Sequence, residues 1–282
     1  MEYIDLHVHS TASDGSYTPS ELVDYAVKKH LKAFALTDHD TCDGIDEAIT
    51  YAASLNNPVT VIPGIELSAE YLGEDVHILG LNIDYKNPTF LTELKTFQDS
   101  RNNRNSKMIK VLNDNGFAIT QDMVDKRFGN SIITRAHYAI LMIELGYVSD
   151  KEEAFSKYLN KGCPCYIPRH KVTPANAVEL IKSAKGHPVM AHPVLYDFSE
   201  DTLEHLVEDL SEKGLEGIEA IYPLNTPKDD KEYFELAARH NLYVTGGSDF
   251  HGTAKPGLEL GTGYGSLYVP AKILENIMER VD

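Results

Sequence analysis

Tyr3-Ile4-Asp5-Leu6-His7-Val8-His9 carries the pattern that decides the fold. Residues 3–8 read as a buried strand, and two histidines fall at its C-terminal end. Side chains at i and i+2 of a strand share a face, so both imidazoles can reach one metal ion. Alone, the pair also fits two satisfied polar residues. Further along, Thr18-Pro19-Ser20-Glu21 supplies an N-cap, a proline at the first helical position and a capping-box glutamate. Leu22, Val23, Ala26 and Val27 follow at helical spacing. Residues 33–37 read as the next strand, 45–55 as a helix and 59–63 as a third strand. Residues 66–72 and 76–83 read as a strand pair joined by Gly73-Glu74-Asp75.

From about residue 88 to 162 strand signals fade, and helical segments at 91–113, 135–145 and 150–159 take over. After Tyr166 the alternation returns. Helices are expected after Thr173-Pro174, at 203–210, after Thr226-Pro227 and at 273–281. Strands are expected at 188–191, 217–221 and 242–245. Strands alternating with helices imply parallel βαβ units that can close an α/β, TIM-like barrel. The helical block reads as an insertion. The expected division is barrel at 1–87, a small helical subdomain at 88–165, and barrel again at 166–282.

The 282 residues carry 26 Lys+Arg against 43 Asp+Glu, a formal charge of −17. With 42% hydrophobic and 24% charged residues the composition is that of a soluble globular protein, not a disordered or collagen-like chain. The acidic balance argues against gripping long nucleic acid or anionic membranes. It leaves room for an anionic substrate at a locally cationic site. Cys42, Cys163 and Cys165 cannot form a disulfide framework and suit a reducing compartment. Residues 1–5 lack a signal-peptide pattern, and the best apolar stretch, 136–148, is interrupted by Glu144. The expectation is a cytoplasmic protein.

The case for chemistry rests on accumulation. Asp14 follows the first strand in Ser13-Asp14-Gly15, where an Asx turn would also place it. Thr37-Asp38-His39-Asp40 follows the second strand, and Gly64-Ile65-Glu66 the third. His77 lies on the next. Ala191-His192-Pro193 and Gly247-Ser248-Asp249-Phe250-His251 follow later strands. C-terminal strand ends are where barrel active sites form. His30, His205 and His240, on or beside helices, read as structural. Six histidines, one glutamate and two aspartates are too many for one four-coordinate zinc. They suit two or three divalent ions, zinc, manganese or iron, sharing carboxylates. Such clusters hydrolyse phosphate esters by acidifying a bridging water and neutralising phosphoryl oxygens.

These motifs, in this order, resemble those of the polymerase-and-histidinol-phosphatase (PHP) superfamily. The resemblance implies a distorted (βα)7 barrel with a trinuclear centre. It implies a first ion on His7, His9, Glu66 and Asp249, and a second on Glu66, His77 and His192. A third would sit on Asp14, His39 and His251, with Glu66 bridging and Asp38 orienting a ligand. The helical block resembles the branch that hydrolyses nucleoside 3′,5′-bisphosphates, some members of which trim short RNA from the 5′ end. Arg135-Ala136-His137 resembles that branch's Arg-x-His element, with alanine where proline is expected. Arg104, Arg135, His137 and Arg169 become candidate substrate contacts, because planar guanidinium groups suit a second phosphate. Arg101 reads as a solvated charge, and Lys161 as a weaker candidate. Ala184-Lys185-Gly186-His187-Pro188 departs from the expected Gly-Gly pair, and His187 reads as structural.

The implied function is hydrolysis of a phosphate monoester on a small nucleotide, with a hydroxide bridging the ions as nucleophile and the general acid unassigned. Competing readings are a histidinol-phosphate phosphatase, a 5′-3′ exonuclease on short oligonucleotides, and a metal-stabilised binding module. No long nucleic acid, membrane or partner protein is expected.

Overall fold

The computed structural model describes residues 2–56, 58–129, 131–167 and 172–278. Apolar strands alternate with capped amphipathic helices, as the sequence pattern requires. In chain order they are β1 (Tyr3–Val8), α1 (Pro19–Lys28), β2 (Ala33–Leu36), α2 (Ile45–Ser54), β3 (Thr60–Tyr71) and β4 (Glu74–Leu81). The helical block holds α3 (Pro88–Asp114), α4 (Gln121–Phe128), α5 (Arg135–Glu144) and α6 (Lys151–Ala154), which runs on into a π-helical turn at Phe155–Leu159. Then follow α7 (Pro174–Ser183), β5 (His187–Met190), α8 (Glu200–Glu212), β6 (Gly217–Ile221), α9 (Pro227–Arg239), β7 (Tyr243–Gly246), β8 (Val269–Pro270) and α10 (Lys272–Met278).

The strands form one sheet in the order β7-β6-β5-β4-β3-β2-β1-β8. The sheet curls until its far side meets β1. Val8 bridges Phe250, and the His9 N–H donates to the Phe250 carbonyl at 3.0 Å. The result is a nearly closed, distorted TIM-like barrel. Its distortion has a local origin. Residues 59–63 and 66–72, expected as separate strands, form the single long β3, and Leu72-Gly73 turns it back into an antiparallel β4. Both turn residues have positive φ, +52° and +82°, as a tight hairpin turn demands. Glu74 and Asp75, expected in the connection, therefore belong to β4. That strand is antiparallel to β5 as well, so the β3–β4–β5 region breaks the parallel βα pattern. Helix α4 and the two-residue β8 carry sequence signals too short to have been anticipated.

Packing follows the alternation. Phe34 and Leu36 of β2 join Leu22, Val23 and Ala26 of α1 in the main core, whereas Ala33 and Ala35 join a second cluster with Ile4, Leu6, Leu79 and Val189. The helical block has a core of its own, with Met108, Leu112, Val124, Tyr138, Met142 and Leu159. Helix α3, 27 residues and about 40 Å long, serves both: Phe90, Leu94 and Phe97 pack into the barrel core. The stretch between, around Arg101 and Arg104, crosses the C-terminal rim of the barrel.

Candidate metal centre and phosphate pocket

The strands and the loops that follow them bring the histidines and carboxylates of the sequence motifs together. Glu66, in the middle of β3, is buried and collects five imidazoles. His7 Nε2 lies 3.4 Å from Oε1, His77 Nδ1 2.7 Å and His192 Nε2 3.1 Å; His9 Nε2 lies 3.2 Å and His39 Nδ1 2.9 Å from Oε2. A carboxylate with different imidazoles on its two oxygens has the form of a bridging ligand. Asp249 Oδ1 stands 3.4 Å from His9 Nε2 and 3.7 Å from His7 Nε2. Asp14 Oδ1 stands 3.2 Å from His251 Nε2, and its Oδ2 3.8 Å from His39 Nε2. Three sets have ligand atoms close enough to share an ion: His9-Asp14-His39-His251, His7-His9-Glu66 and His39-Glu66-His77. His9 and His39 thus each lie between two sets, a finer point than spacing could supply.

The donor set passes a physical test for metal. His7 Nε2, His9 Nε2, His39 Nδ1 and Asp14 Oδ1 are buried and, although close to one another's partners, make no hydrogen bond of good geometry. Buried polar atoms cost free energy unless satisfied, so a group of such atoms converging on one volume calls for a cation. Burial would raise the Glu66, Asp14 and Asp249 carboxyls. Nearby histidines, with Lys255 beside Asp249, reverse this and hold all three well below the usual carboxylate range. Burial would likewise lower His9, but Asp249 and Glu66 lift it to about 9. Burial holds His192 down and pushes His251 down to about 4, so neutral imidazoles stand beside ionised carboxylates there, the protonation states that metal ligands need.

Local backbone makes these approaches possible. A Cβ on Gly247 would fall 2.4 Å from the His7 Cβ, and one on Gly15 would fall 2.4 Å from the His9 carbonyl oxygen. Only glycine lets both loops close on β1. Asp40, His192 and Asp249 are non-glycine residues with φ of +52°, +26° and +55°. Such conformations persist where surrounding contacts over-determine them, as at ligand sites.

Around the cluster lie residues that the motifs did not reveal. Glu219, fully buried on β6, accepts from His7 Nδ1 at 3.0 Å and from the His192 N–H at 2.8 Å. This fixes which His7 nitrogen faces the cluster. A glutamate inside the apolar run Gly217–Ile221 was the available signal. Tyr222 donates to Asp249 Oδ2 at 2.8 Å, and Lys255 pairs with the same oxygen, leaving Oδ1 for the cluster. Neither had a local sequence signal. Asp38 accepts from the Ser10 N–H and from the Ser10 and Ser13 hydroxyls, so it sets the loop that carries Asp14. His187 binds Glu216 at 2.7 Å between β5 and β6, the structural part expected of it.

The arginines divide. Arg101, read above as a solvated charge, is buried in an ion pair with Asp40 at 2.6 Å and donates to Ser68 Oγ at 2.7 Å. The sequence could not show that α3 crosses the rim. Arg104, one turn on, is buried too. Arg135, at the first position of α5, pairs with Asp75 and donates to the Leu159 carbonyl at 3.3 Å. Arg101, Arg104 and Arg135 line a cavity of about 150 Å³ that also exposes Asp14, His39 and His77. His137 has a different task. Its Nδ1 accepts the Thr134 N–H at 2.9 Å, capping α5, and burial pushes it down to about 4. It is linked to the cluster through Thr134, whose hydroxyl donates to Asp14 Oδ2 at 2.9 Å. Arg169 lies outside the described residues.

A barrel with such a cluster at the C-terminal ends of its strands defines a metal-dependent hydrolase. The chain belongs to the PHP domain family, whose model matches residues 5–248. It is 35% identical to a 3′,5′-nucleoside bisphosphate phosphatase from Chromobacterium violaceum over 93% of this chain and 91% of that protein. It is 32% identical to the 5′-3′ exoribonuclease Rnm of Escherichia coli over 95% and 90%. Among solved structures, one from Bifidobacterium adolescentis described as a metal-dependent phosphoesterase superposes with a TM-score of 0.86, at 30% identity, covering 100% and 97% of the two chains. The enzyme is a metal-dependent phosphoesterase. Among the described residues no helix is long and apolar enough to cross a membrane.

Proposed function

We propose that the enzyme hydrolyses a phosphate monoester on a small nucleotide, a nucleoside 3′,5′-bisphosphate, using two or three divalent ions. The observation that carries this reading is the 150 Å³ cavity, where guanidinium groups and the metal-binding side chains line one space. One phosphate would sit over the cluster and the other against Arg104 and Arg135. His7, His9, Asp14, His39, Glu66, His77, His192, Asp249 and His251 would hold the ions; their nitrogen and oxygen donors suit manganese, zinc or iron. When bound, the ions supply Lewis acidity and an activated water.

The chain's own residues do the rest. Glu219 and the Tyr222–Lys255 pair aim His7 and Asp249. Burial of the cluster keeps bulk water from screening it. Asp14, Glu66 and Asp249 bring three negative charges against four or six positive ones, so the pocket would be cationic within an acidic protein. That protein charge, −17, disfavours capture of long nucleic acid. The free thiols Cys42, Cys163 and Cys165 suit the reducing cytoplasm.

A second reading, 5′-3′ cleavage of short oligonucleotides, draws support from two larger grooves beside the cavity. One, of about 680 Å³, shares Asp75, His77 and Arg135 with it. The other, of about 920 Å³, shares Asp14. Phosphate release from adenosine 3′,5′-bisphosphate, histidinol phosphate and short oligoribonucleotides, with manganese or zinc added, tests the proposal. Bisphosphate should give the highest kcat/KM. Faster turnover of histidinol phosphate, or a rise in kcat/KM with oligonucleotide length, would overturn it. Arg135→Ala should raise KM for the bisphosphate about tenfold, the loss of one charge-assisted contact.

A further inference from the structure

Asp75 stands where a phosphate-binding pocket should not have a carboxylate. It is the second residue of β4, two before His77, and so shares the face of the strand that looks onto the cluster. It lines the 150 Å³ cavity with Arg104, Arg135 and His77. Its Oδ2 pairs with Nη2 of Arg135. A bare carboxylate there would repel an incoming phosphate.

Asp75 is not the sole contact of Arg135. The guanidinium also donates through Nη1 to the Leu159 carbonyl at 3.3 Å and lies 5.5 Å over the ring of Tyr166. These two contacts hold the planar group independently of β4. Asp75 instead approaches from the barrel and pairs with Nη2, and both side chains line the cavity.

We propose that Asp75 is a resident carboxylate that occupies the phosphate subsite of Arg135 in the free enzyme, and that the second phosphate of the substrate displaces it. This rests on the reading of Arg135 as the second-phosphate contact. A carboxylate carries one negative charge and two acceptor oxygens; a phosphate monoester carries nearly two charges and three. The exchange therefore favours a phosphate dianion over a ligand whose second group is a carboxylate. Because part of the binding free energy goes into releasing Asp75, the apparent affinity for the bisphosphate is lower than the bare pocket would give. Asp75 thus raises the KM for the bisphosphate and lets a second phosphate, but not a second carboxylate, gain by the exchange.

The test uses the metal-loaded enzyme and its KM for adenosine 3′,5′-bisphosphate and for the two adenosine monophosphates. Asp75→Asn keeps the size and removes the charge. It should lower the bisphosphate KM about threefold or more, the scale of a half-buried ion pair, and raise the monophosphate-to-bisphosphate KM ratio accordingly. Asp75→Ser should move the ratio the same way. Glu74→Gln removes a neighbouring charge that pairs with Lys161 and lies outside the small cavity, and it should leave the ratio alone. An unchanged or raised bisphosphate KM in both Asp75 variants would overturn the proposal, because Asp75 would then be positioning Arg135. An equal fall in Glu74→Gln would overturn it in favour of general charge. If Arg135→Ala leaves the bisphosphate KM unchanged, the second-phosphate reading itself fails, an outcome that needs no Asp75 variant to detect.

Discussion

Replacing Arg101 by methionine should destabilise the protein by about 3–5 kcal/mol, the cost of breaking one partner out of a buried ion pair. Arg101 is 4% exposed and Asp40 is fully buried. Two guanidinium nitrogens reach Asp40 Oδ2, Nη2 at 2.6 Å and Nε at 2.8 Å. Methionine fills much of the arginine stem's volume, so the loss is electrostatic more than steric. It leaves the Asp40 carboxylate buried without the guanidinium, although the Ser68 N–H still donates to Oδ1 at 3.0 Å. It also removes the link from α3 to β3 through Ser68 Oγ. In the Asp40→Asn, Arg101→Met double variant no buried charge is stranded, and more than half of the loss should return. Urea unfolding of the metal-free protein at pH 7, followed by far-UV circular dichroism, measures both. A drop in Tm of about 6–10 °C should accompany the single change, at about 2 °C per kcal/mol for a chain of this size. A cost under about 1 kcal/mol for Arg101→Met, the range of exposed pairs, would refute the reasoning. So would a double variant no more stable than the single.

Glu66→Gln should lower metal content measured by elemental analysis and reduce kcat about a hundredfold or more, since a neutral amide cannot bridge the ions; full metal occupancy in the variant would contradict the bridging geometry. Chelation should lower Tm by about 8 °C, because ions at a thousandfold excess over Kd stabilise the folded state by about 4 kcal/mol; an unchanged Tm in metal-stripped protein would count against the cluster as a metal site. His137 yields a pH prediction. Its folded pKa, about 4, lies below the unfolded value of 6.5, so between those values the unfolded chain binds the extra proton. The stability that neutral His137 contributes is complete above about pH 6.5 and falls by about 3 kcal/mol as pH drops toward 4. His137→Asn keeps a capping acceptor, as Asn176 does on α7, and cannot titrate. The stability difference between wild type and this variant should therefore shift in the variant's favour from pH 6.5 to 4.5, and a pH-independent difference would refute the assignment.

Much of the barrel was legible because its signals are local. Thr18-Pro19-Ser20-Glu21 closes a capping box within four residues, and the structure makes both of its hydrogen bonds. The motifs from His7 to His251 were visible because most follow or end an apolar run, and strand ends are what a barrel collects; Glu66 and His77 instead lie within β3 and β4. The merging of residues 59–63 and 66–72 into β3 was not legible. Nothing local separates a break at Pro63-Gly64 from a strand that continues through it. Lys255 and Tyr222 were invisible for another reason. A lysine or tyrosine in a loop looks the same whether it faces water or Asp249.

By itself, then, the amino-acid sequence determined the strand-and-helix alternation, the run of helices between β4 and β5 and the His/Asp/Glu set. Each of these follows from spacing along the chain: period 2 or 3.6, caps, and residues placed just past a strand. Tertiary structure alone decided which side chains meet. It closed β1 on Phe250, set five imidazoles on Glu66, buried Arg101 against Asp40 and turned Asp75 onto Arg135. Those contacts join residues tens to hundreds of positions apart. Their energies depend on distance and burial, which no local pattern encodes.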